Sequence, residues 1–248
     1  MNAKHASATL RGISHKFHGL PCQDEACTGQ SDSCAVAAIC DGAGSCAHSE
    51  LAAQALCRWI VCWLPDHFDE LYLLDDDALV SRVLEAGLPQ LDRTGLPRES
   101  CSCTLVCAAR HQDGRLLILH IGDGFVFSAN EVLSYPENGL FAEETYFFNA
   151  ASAASHLRVV RRRESGSTVL LLTSDGCGDA LYDARSRAPV PAVAKLCRGI
   201  AQHTSEEVAA ALKRNLEVVF ARESDDDLSL AMLWCDPPEE STGASLSL

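Results

Sequence analysis

No stretch of this chain comes near the run of about 20 uninterrupted apolar residues that a membrane-spanning helix needs. Cys57 to Leu64 is too short and contains Arg58. The N-terminal residues lack the basic, apolar and small-residue regions of a signal peptide, so the chain is expected in the cytoplasm and away from membranes. Basic residues are also scarce. Against 34 Asp and Glu stand 20 Lys and Arg, a formal net charge of −14. Phosphate backbones and anionic lipids are held by Lys and Arg clusters, so this balance excludes a general nucleic-acid or membrane surface. One basic run exists, Arg158 to Arg163. It reads either as a solvated edge or loop or as a guide for a phosphorylated substrate, because guanidinium groups match phosphate geometry. No proline-rich or glycine-serine linker divides the chain and no repeat recurs, which predicts one domain.

Cysteine is plentiful, but the arrangements that would give it chemistry are missing. The thirteen cysteines are odd in number and lie mostly inside apolar runs, such as Cys34, Cys40, Cys107 and Cys235. That reads as reduced, buried thiols and not as a disulfide framework. No cysteine stands at the Cys-x5-Arg spacing of a thiolate phosphate cradle. Cys101 and Cys103 have no second pair at zinc-binding spacing. Trp59 and Trp63 share a helical stripe and read as core residues.

What the chain does have is a set of aspartates bordering short apolar runs. Asp41-Gly42 follows Ala35 to Cys40, Gly122-Asp123-Gly124 follows Leu116 to Ile121, and Asp175-Gly176 follows Val169 to Ser174. Asp225-Asp226-Asp227 precedes Leu228 to Trp234. A residue at a strand end leaves the core at a sheet edge, where carboxylates from several strands can meet, and glycine lets the backbone turn or approach an ion closely. Converging carboxylates repel one another unless cations lie between them, and an all-oxygen shell suits Mg²⁺ or Mn²⁺.

Strands are predicted at 34–40, 102–110, 115–121, 124–129, 167–173 and 227–235. Their nearly continuous apolar character fits sheets covered on both faces. Asp113-Gly114 predicts a tight hairpin turn, and Gly122 to Gly124 the next reversal. Helices are predicted on the stripe Leu56, Trp59, Ile60, Trp63 and on Leu79, Val80, Val83, Leu84, Leu91. A third should start at the capping box of Thr204 and Glu207 and run towards Phe220. Residues 134–155 read as an irregular excursion, and the chain from Asp236 onward as an unpacked tail.

Six of these segments, in order, resemble the metal-dependent protein phosphatases of the 2C type. They are Cys22-Gln23-Asp24, Ile39 to Ser45, Ser102 to Leu105, His120 to Gly124, Leu171 to Gly176, and Asp226 to Ser229. Gly12-Ile13-Ser14-His15 with Pro21-Cys22-Gln23-Asp24 is similar to a bacterial branch of that family. The resemblance implies an α+β fold, a four-layer α-β-β-α sandwich of two antiparallel sheets flanked by helices, over residues 1–235, with a flexible tail at 236–248.

It also implies a metal-dependent serine/threonine phosphatase that hydrolyses phosphoserine and phosphothreonine with a water activated at a centre of two or three Mn²⁺ or Mg²⁺ ions. Asp41 would bridge two ions, Gly42 would offer its carbonyl oxygen, Asp175 and Asp226 would complete one site and Asp24 would serve the other. Asp123 would belong to a third, weaker site. Asp41, Asp175 and Asp226 are therefore the expected catalytic residues. Thr104 and Ser102 would orient the site. The partner implied is a phosphorylated protein, a cognate Ser/Thr kinase or its targets, met by a monomer.

The departures are specific. The family's phosphate-binding arginine falls at about Gly19, with His15, Lys16 or Arg11 as compensating contacts. Ala43 stands where many members carry a histidine after Asp-Gly, with His48 as the nearby candidate for its role. Gln23 replaces a common glutamate and Asp227 a common asparagine. These losses motivate an alternative, a catalytically weak pseudophosphatase that binds phosphorylated partners or regulates a kinase. Retention of the core aspartates argues against it, since a binding module has no use for a costly cluster of like charges. A phosphohydrolase of small molecules on the same centre is a third reading. Selectivity is expected from residues 134–165.

Overall fold

The computed structural model describes residues 1–137 and 145–238. In chain order the first half contains β1 (Ala3–Leu10), α1 (Ile13–His18), β2 (Asp24–Gln30), β3 (Cys34–Asp41), α2 (Ser49–Leu73) and α3 (Asp76–Asp92). Then come β4 (Leu105–His111), β5 (Arg115–Ile121), β6 (Phe125–Phe127), β7 (Val132–Ser134), α4 (Ala153–His156) and β8 (Arg158–Arg163). The chain continues through β9 (Thr168–Thr173), α5 (Asp175–Leu181), β10 (Tyr182–Asp183) and β11 (Ala188–Pro189). It closes with α6 (Pro191–Gln202), α7 (Ser205–Val218) and β12 (Leu228–Cys235).

Two five-stranded antiparallel sheets form the centre, in the orders β1-β12-β9-β6-β7 and β2-β3-β4-β5-β8. Three apolar layers hold them. Ile39, Val106, Ile118, Leu172 and Leu233 meet between the sheets. Leu56, Ile60, Leu64, Leu79 and Val83 press α2 and α3 onto Val36, Cys107 and Leu117 of one outer face. Val193, Ile200, Val208 and Leu212 of α6 and α7 cover Leu171, Leu230 and Met232 of the other. This is the four-layer sandwich expected, and it explains the continuous apolar runs. A strand buried on both faces has no solvent side on which to place polar residues. Each fully buried Leu or Ile adds roughly 1.5–3 kcal/mol.

Some elements depart from the sequence pattern in informative ways. The Asp113-Gly114 turn closes the β4–β5 hairpin as expected, with Gly114 at φ 100°. Gly122 to Gly124 does not fold a second hairpin, because β5 and β6 belong to different sheets. The turn carries the chain across the sandwich instead. The basic run is an edge strand, β8, paired to β5. Three of its four arginines are in ion pairs: Arg158 with Glu137, Arg161 with Asp76 and Arg162 with Glu131.

All thirteen cysteines are free thiols; most are buried, but Cys62 is exposed. Trp59 and Trp63 stack on each other and pack against the core. Part of the predicted excursion, residues 138–144, and most of the predicted tail, 239–248, lie outside the described residues. Among the described residues no helix is long and apolar enough to cross a membrane.

The third predicted helix is α7, and both halves of its capping box form. Thr204 Oγ1 accepts from the Glu207 backbone at 3.2 Å, and Glu207 Oε2 accepts from the Thr204 backbone at 3.0 Å. Thr204→Ala should cost about 1 kcal/mol, read as a lower urea midpoint with an unchanged m-value.

Candidate active site

Strand register assembles the site. In the β2–β3 ladder Asp24 and Asp41 are direct cross-strand partners at the end of the sheet. Thr104, just before β4, fixes the backbone of Asp41 from the other side. Its Oγ1 accepts from the Asp41 N–H at 2.9 Å, and its own N–H donates to the Asp41 carbonyl at 2.8 Å. The Gly42 N–H donates to the Gln23 carbonyl at 3.1 Å, closing the same end of the sheet. In the facing sheet, β9 delivers Asp175 to the start of α5 and the chain presents Asp226 just before β12. Ser174 and Ser229 tie these two ends together, with Ser174 Oγ accepting from the Ser229 N–H at 3.1 Å.

The Asp226–Asp227 turn is clamped between two glycines. A Cβ on Gly12 would lie 2.3 Å from the Asp226 carbonyl carbon, and one on Gly176 would lie 2.3 Å from the Asp227 oxygen. Only a residue without a side chain admits so close an approach.

These elements line a cleft of about 460 Å³, in which Asp41, Asp123, Asp175, Asp226 and His15 meet. Asp24 lies behind the wall and is 3% exposed. Asp123 is held by the Thr145 hydroxyl, which donates to its Oδ2. A second hollow shares Asp175 and Asp226 and adds Asp179 and Glu223, acidic residues that no motif had marked. Gly42 lines the cleft as well. Lys16 and His48 do not. Lys16 is exposed on α1, and His48, also exposed, precedes α2 at 3.9 Å from Glu50. Arg11 points its guanidinium to the Leu20 carbonyl at 3.2 Å. Among the described residues that line the cleft there is no Lys or Arg.

The two adjacent aspartates of the last turn do different work. Asp226 is exposed toward the cleft and has one oxygen on the Asp227 N–H at 2.8 Å. Asp227 turns inward. Its carboxylate accepts from the Gly12 N–H at 2.6 Å, the Gln23 N–H at 2.5 Å and His15 Nδ1 at 2.8 Å. Nothing in a run of three aspartates distinguishes the two. Only the alternation at the entry to β12 signals that neighbours face opposite ways. Gln23 was readable as a neighbour of Asp24, but its buried Oε1, without a hydrogen-bond partner, was not.

Electrostatics describe a site that asks for positive charge. Burial, then the Asp24, Asp175, Asp123 and Asp226 charges, push the Asp41 carboxyl well above the ordinary carboxylate range. Burial, with the Asp227 charge adding to it, raises Asp24 to about 7. Asp175 is raised to about 6, by burial and then by Asp123 and Asp226. Both Asp24 oxygens are buried without a hydrogen-bond partner. An orphaned carboxylate beside like charges is what a hard divalent cation with oxygen ligands would satisfy, so the residues present fit Mg²⁺ or Mn²⁺. Among the described residues no group of three or more His, Cys, Asp or Glu side chains is arranged to hold a metal ion. The fit rests on the orphaned oxygens and the donor chemistry.

The sequence profile of the protein phosphatase 2C family matches residues 11–217. Similar folds include the catalytic domain of the serine/threonine protein phosphatase PstP in complex with two manganese ions. It is 17% identical at a TM-score of 0.64, covering 94% of this chain and 99% of that one. The serine/threonine phosphatase of S. agalactiae is 12% identical at a TM-score of 0.63, covering 94% and 99%. PppA, a regulatory component of T6SS in Pseudomonas aeruginosa, is 17% identical at a TM-score of 0.56, covering 94% and 97%. No curated protein sequence matches the chain.

Two predictions test the site. The raised values of Asp24 and Asp175 lie above those of the unfolded chain, near 4. Their favourable contribution is therefore full below about pH 4 and is lost as pH rises through about 6 to 7. With EDTA present, the urea midpoint should fall between mildly acidic and mildly alkaline buffer. Asp24→Asn should flatten the fall, and Mn²⁺ should reverse it in the parent protein. Gly12→Ala should destabilise by about 1–3 kcal/mol through overpacking against the Asp226 turn, measured by equilibrium unfolding.

Proposed function

The chain belongs to the protein phosphatase 2C family, and from that membership we propose that it is a metal-dependent serine/threonine phosphatase acting on phosphorylated proteins. The observation that carries the reading is the convergence of Asp41, Asp123, Asp175 and Asp226 on one cleft, with the orphaned carboxylate of Asp24 behind it. Asp24, Asp41, Asp175, Asp226 and the Gly42 carbonyl would hold two Mn²⁺ or Mg²⁺ ions, and Asp123 a third. Such ions, when bound, would supply a water nucleophile at neutral pH and neutralise the phosphoryl oxygens.

The chain's own groups do the remaining work. Thr104 fixes the backbone of Asp41, Thr145 holds Asp123, and the clamped glycines keep the Asp226 turn in place. Thr145 and Phe147 border the cleft from the irregular segment, which supports the reading that residues 134–165 contribute to substrate selectivity. The protein would act as a monomer in the cytoplasm, opposite a Ser/Thr kinase.

The cleft's lack of Lys and Arg, among the described residues, favours one other reading: a catalytically weak relative that binds a phosphoprotein or regulates a kinase. One assay separates the two. Purified protein with Mn²⁺ should release phosphate from a phosphothreonine peptide, and EDTA should stop it. Asp41→Asn, Asp175→Asn and Asp226→Asn should each lose at least about a hundredfold in turnover. A folded protein that binds Mn²⁺ yet turns over no phosphopeptide and no p-nitrophenyl phosphate would overturn the enzyme reading in favour of the regulator.

A further inference from the structure

Hydrolysis of a phosphoserine or phosphothreonine must expel an alkoxide, a poor leaving group unless it is protonated as the bond breaks. Resting on the reading above, we propose that His15 is the general acid of this site and Asp227 the residue that positions it. The place after Asp41-Gly42 cannot serve, since Ala43 lines the cleft there with a methyl group.

The other protonic side chains of the wall are committed or unsuited. Thr104 Oγ1 is engaged with the Asp41 N–H, and the Thr145 hydroxyl donates to Asp123. Hydroxyls and amides do not titrate near neutrality, whereas imidazole does. His48, the nearer candidate in sequence, is exposed and off the cleft wall. Among the described residues, His15 is the histidine that lines it.

The support behind the ring is built into the fold. Asp227 is 3% exposed and His15 12% exposed, and their contact spans 2.8 Å. Two backbone N–H groups, from Gly12 and Gln23, fix the carboxylate from α1's approach and from β2's approach. The carboxylate is thereby held by three internal donors. A carboxylate on Nδ1 sets the tautomer and orientation of an imidazole, as in hydrolase triads, and leaves Nε2 for chemistry. An asparagine at position 227 would present either an amide oxygen or an NH₂ group and would define the ring less strictly.

In the step itself, water adds its oxygen to phosphorus while the bond from phosphorus to the seryl or threonyl oxygen breaks. The electron pair of that bond stays on the departing oxygen, which takes the Nε2 proton. The added water gives up one proton and solvent returns one to the imidazole. The products are the alcohol and hydrogen phosphate, with the protein unchanged.

Leaving-group dependence tests this with the full chain and Mn²⁺. The substrates are a phosphothreonine peptide, phenyl phosphate and p-nitrophenyl phosphate, whose leaving groups need progressively less proton assistance. His15→Gln and His15→Asn should each lower kcat on the peptide by about 10²–10⁴-fold. The loss on p-nitrophenyl phosphate should be at least about tenfold smaller, with phenyl phosphate between. Asp227→Asn should steepen the same dependence less strongly.

A second readout is independent of turnover. Nitrogen NMR of the His15 ring should show Nδ1 carrying a proton in the parent protein, with that preference weakened in Asp227→Asn. Equal losses on all three substrates, or none, would overturn the assignment while leaving the phosphatase reading intact, as would an Nδ1 without a proton. A parent protein that turns over none of the three would overturn both.

Discussion

Like charges crowd one end of this sandwich. Asp24 sits directly across a ladder from Asp41, and Asp175, Asp226 and Asp123 arrive from three other chain segments. Such a cluster opposes folding of the metal-free chain, because Asp24, Asp41, Asp123 and Asp175 are largely stripped of water and face like charges. The rest of the fold supplies a frame rigid enough to hold it. The strands that deliver Asp41 and Asp175, and the strand that follows Asp226, are each buried at all but one position. They lie between three apolar layers that anchor them along their length. The stable part of the protein and its reactive part are thus spatially distinct, joined at the strand ends.

The cleft also shows how one neighbourhood separates two roles among identical residues. Asp226 faces the open cleft, whereas Asp227 one residue later is enclosed and held by two backbone donors and an imidazole. The first keeps its charge available and the second spends its charge on orientation. A similar economy governs the arginines of β8. In sequence they read either as a solvated edge or as a phosphate guide, and at the sheet edge Arg158, Arg161 and Arg162 pair with Glu137, Asp76 and Glu131. Charged residues on an edge strand also discourage pairing with another chain.

Legibility followed burial and local chemistry. Strands β3, β5, β9 and β12 were visible because full burial leaves an unbroken apolar run, and α7 because its capping box is a local device. Helix α1 was missed because it buries no residue and has only six in all, too few to establish a period. Strand β6 is shorter than its apolar run suggested, since Gly124 and Ser128 belong to the turns around it. The Gly122–Asp123–Gly124 turn looked like a hairpin, because turn residues encode a change of direction and not the sheet that the next strand will join.

By itself the sequence determined the apolar runs, the order of the aspartate-glycine ends, the acidic balance and the family, since each is a property of neighbouring residues or of their order. Tertiary structure decided which of those aspartates meet, which of two adjacent carboxylates faces the cleft, and that His15 enters it while Lys16 and His48 stay outside. Those outcomes depend on strand register and on contacts between Gly12, Gly176 and a turn more than 200 residues from the first of them and about 50 from the second. Side-chain chemistry is written locally, but convergence is a long-range property that only the packed sheets supply.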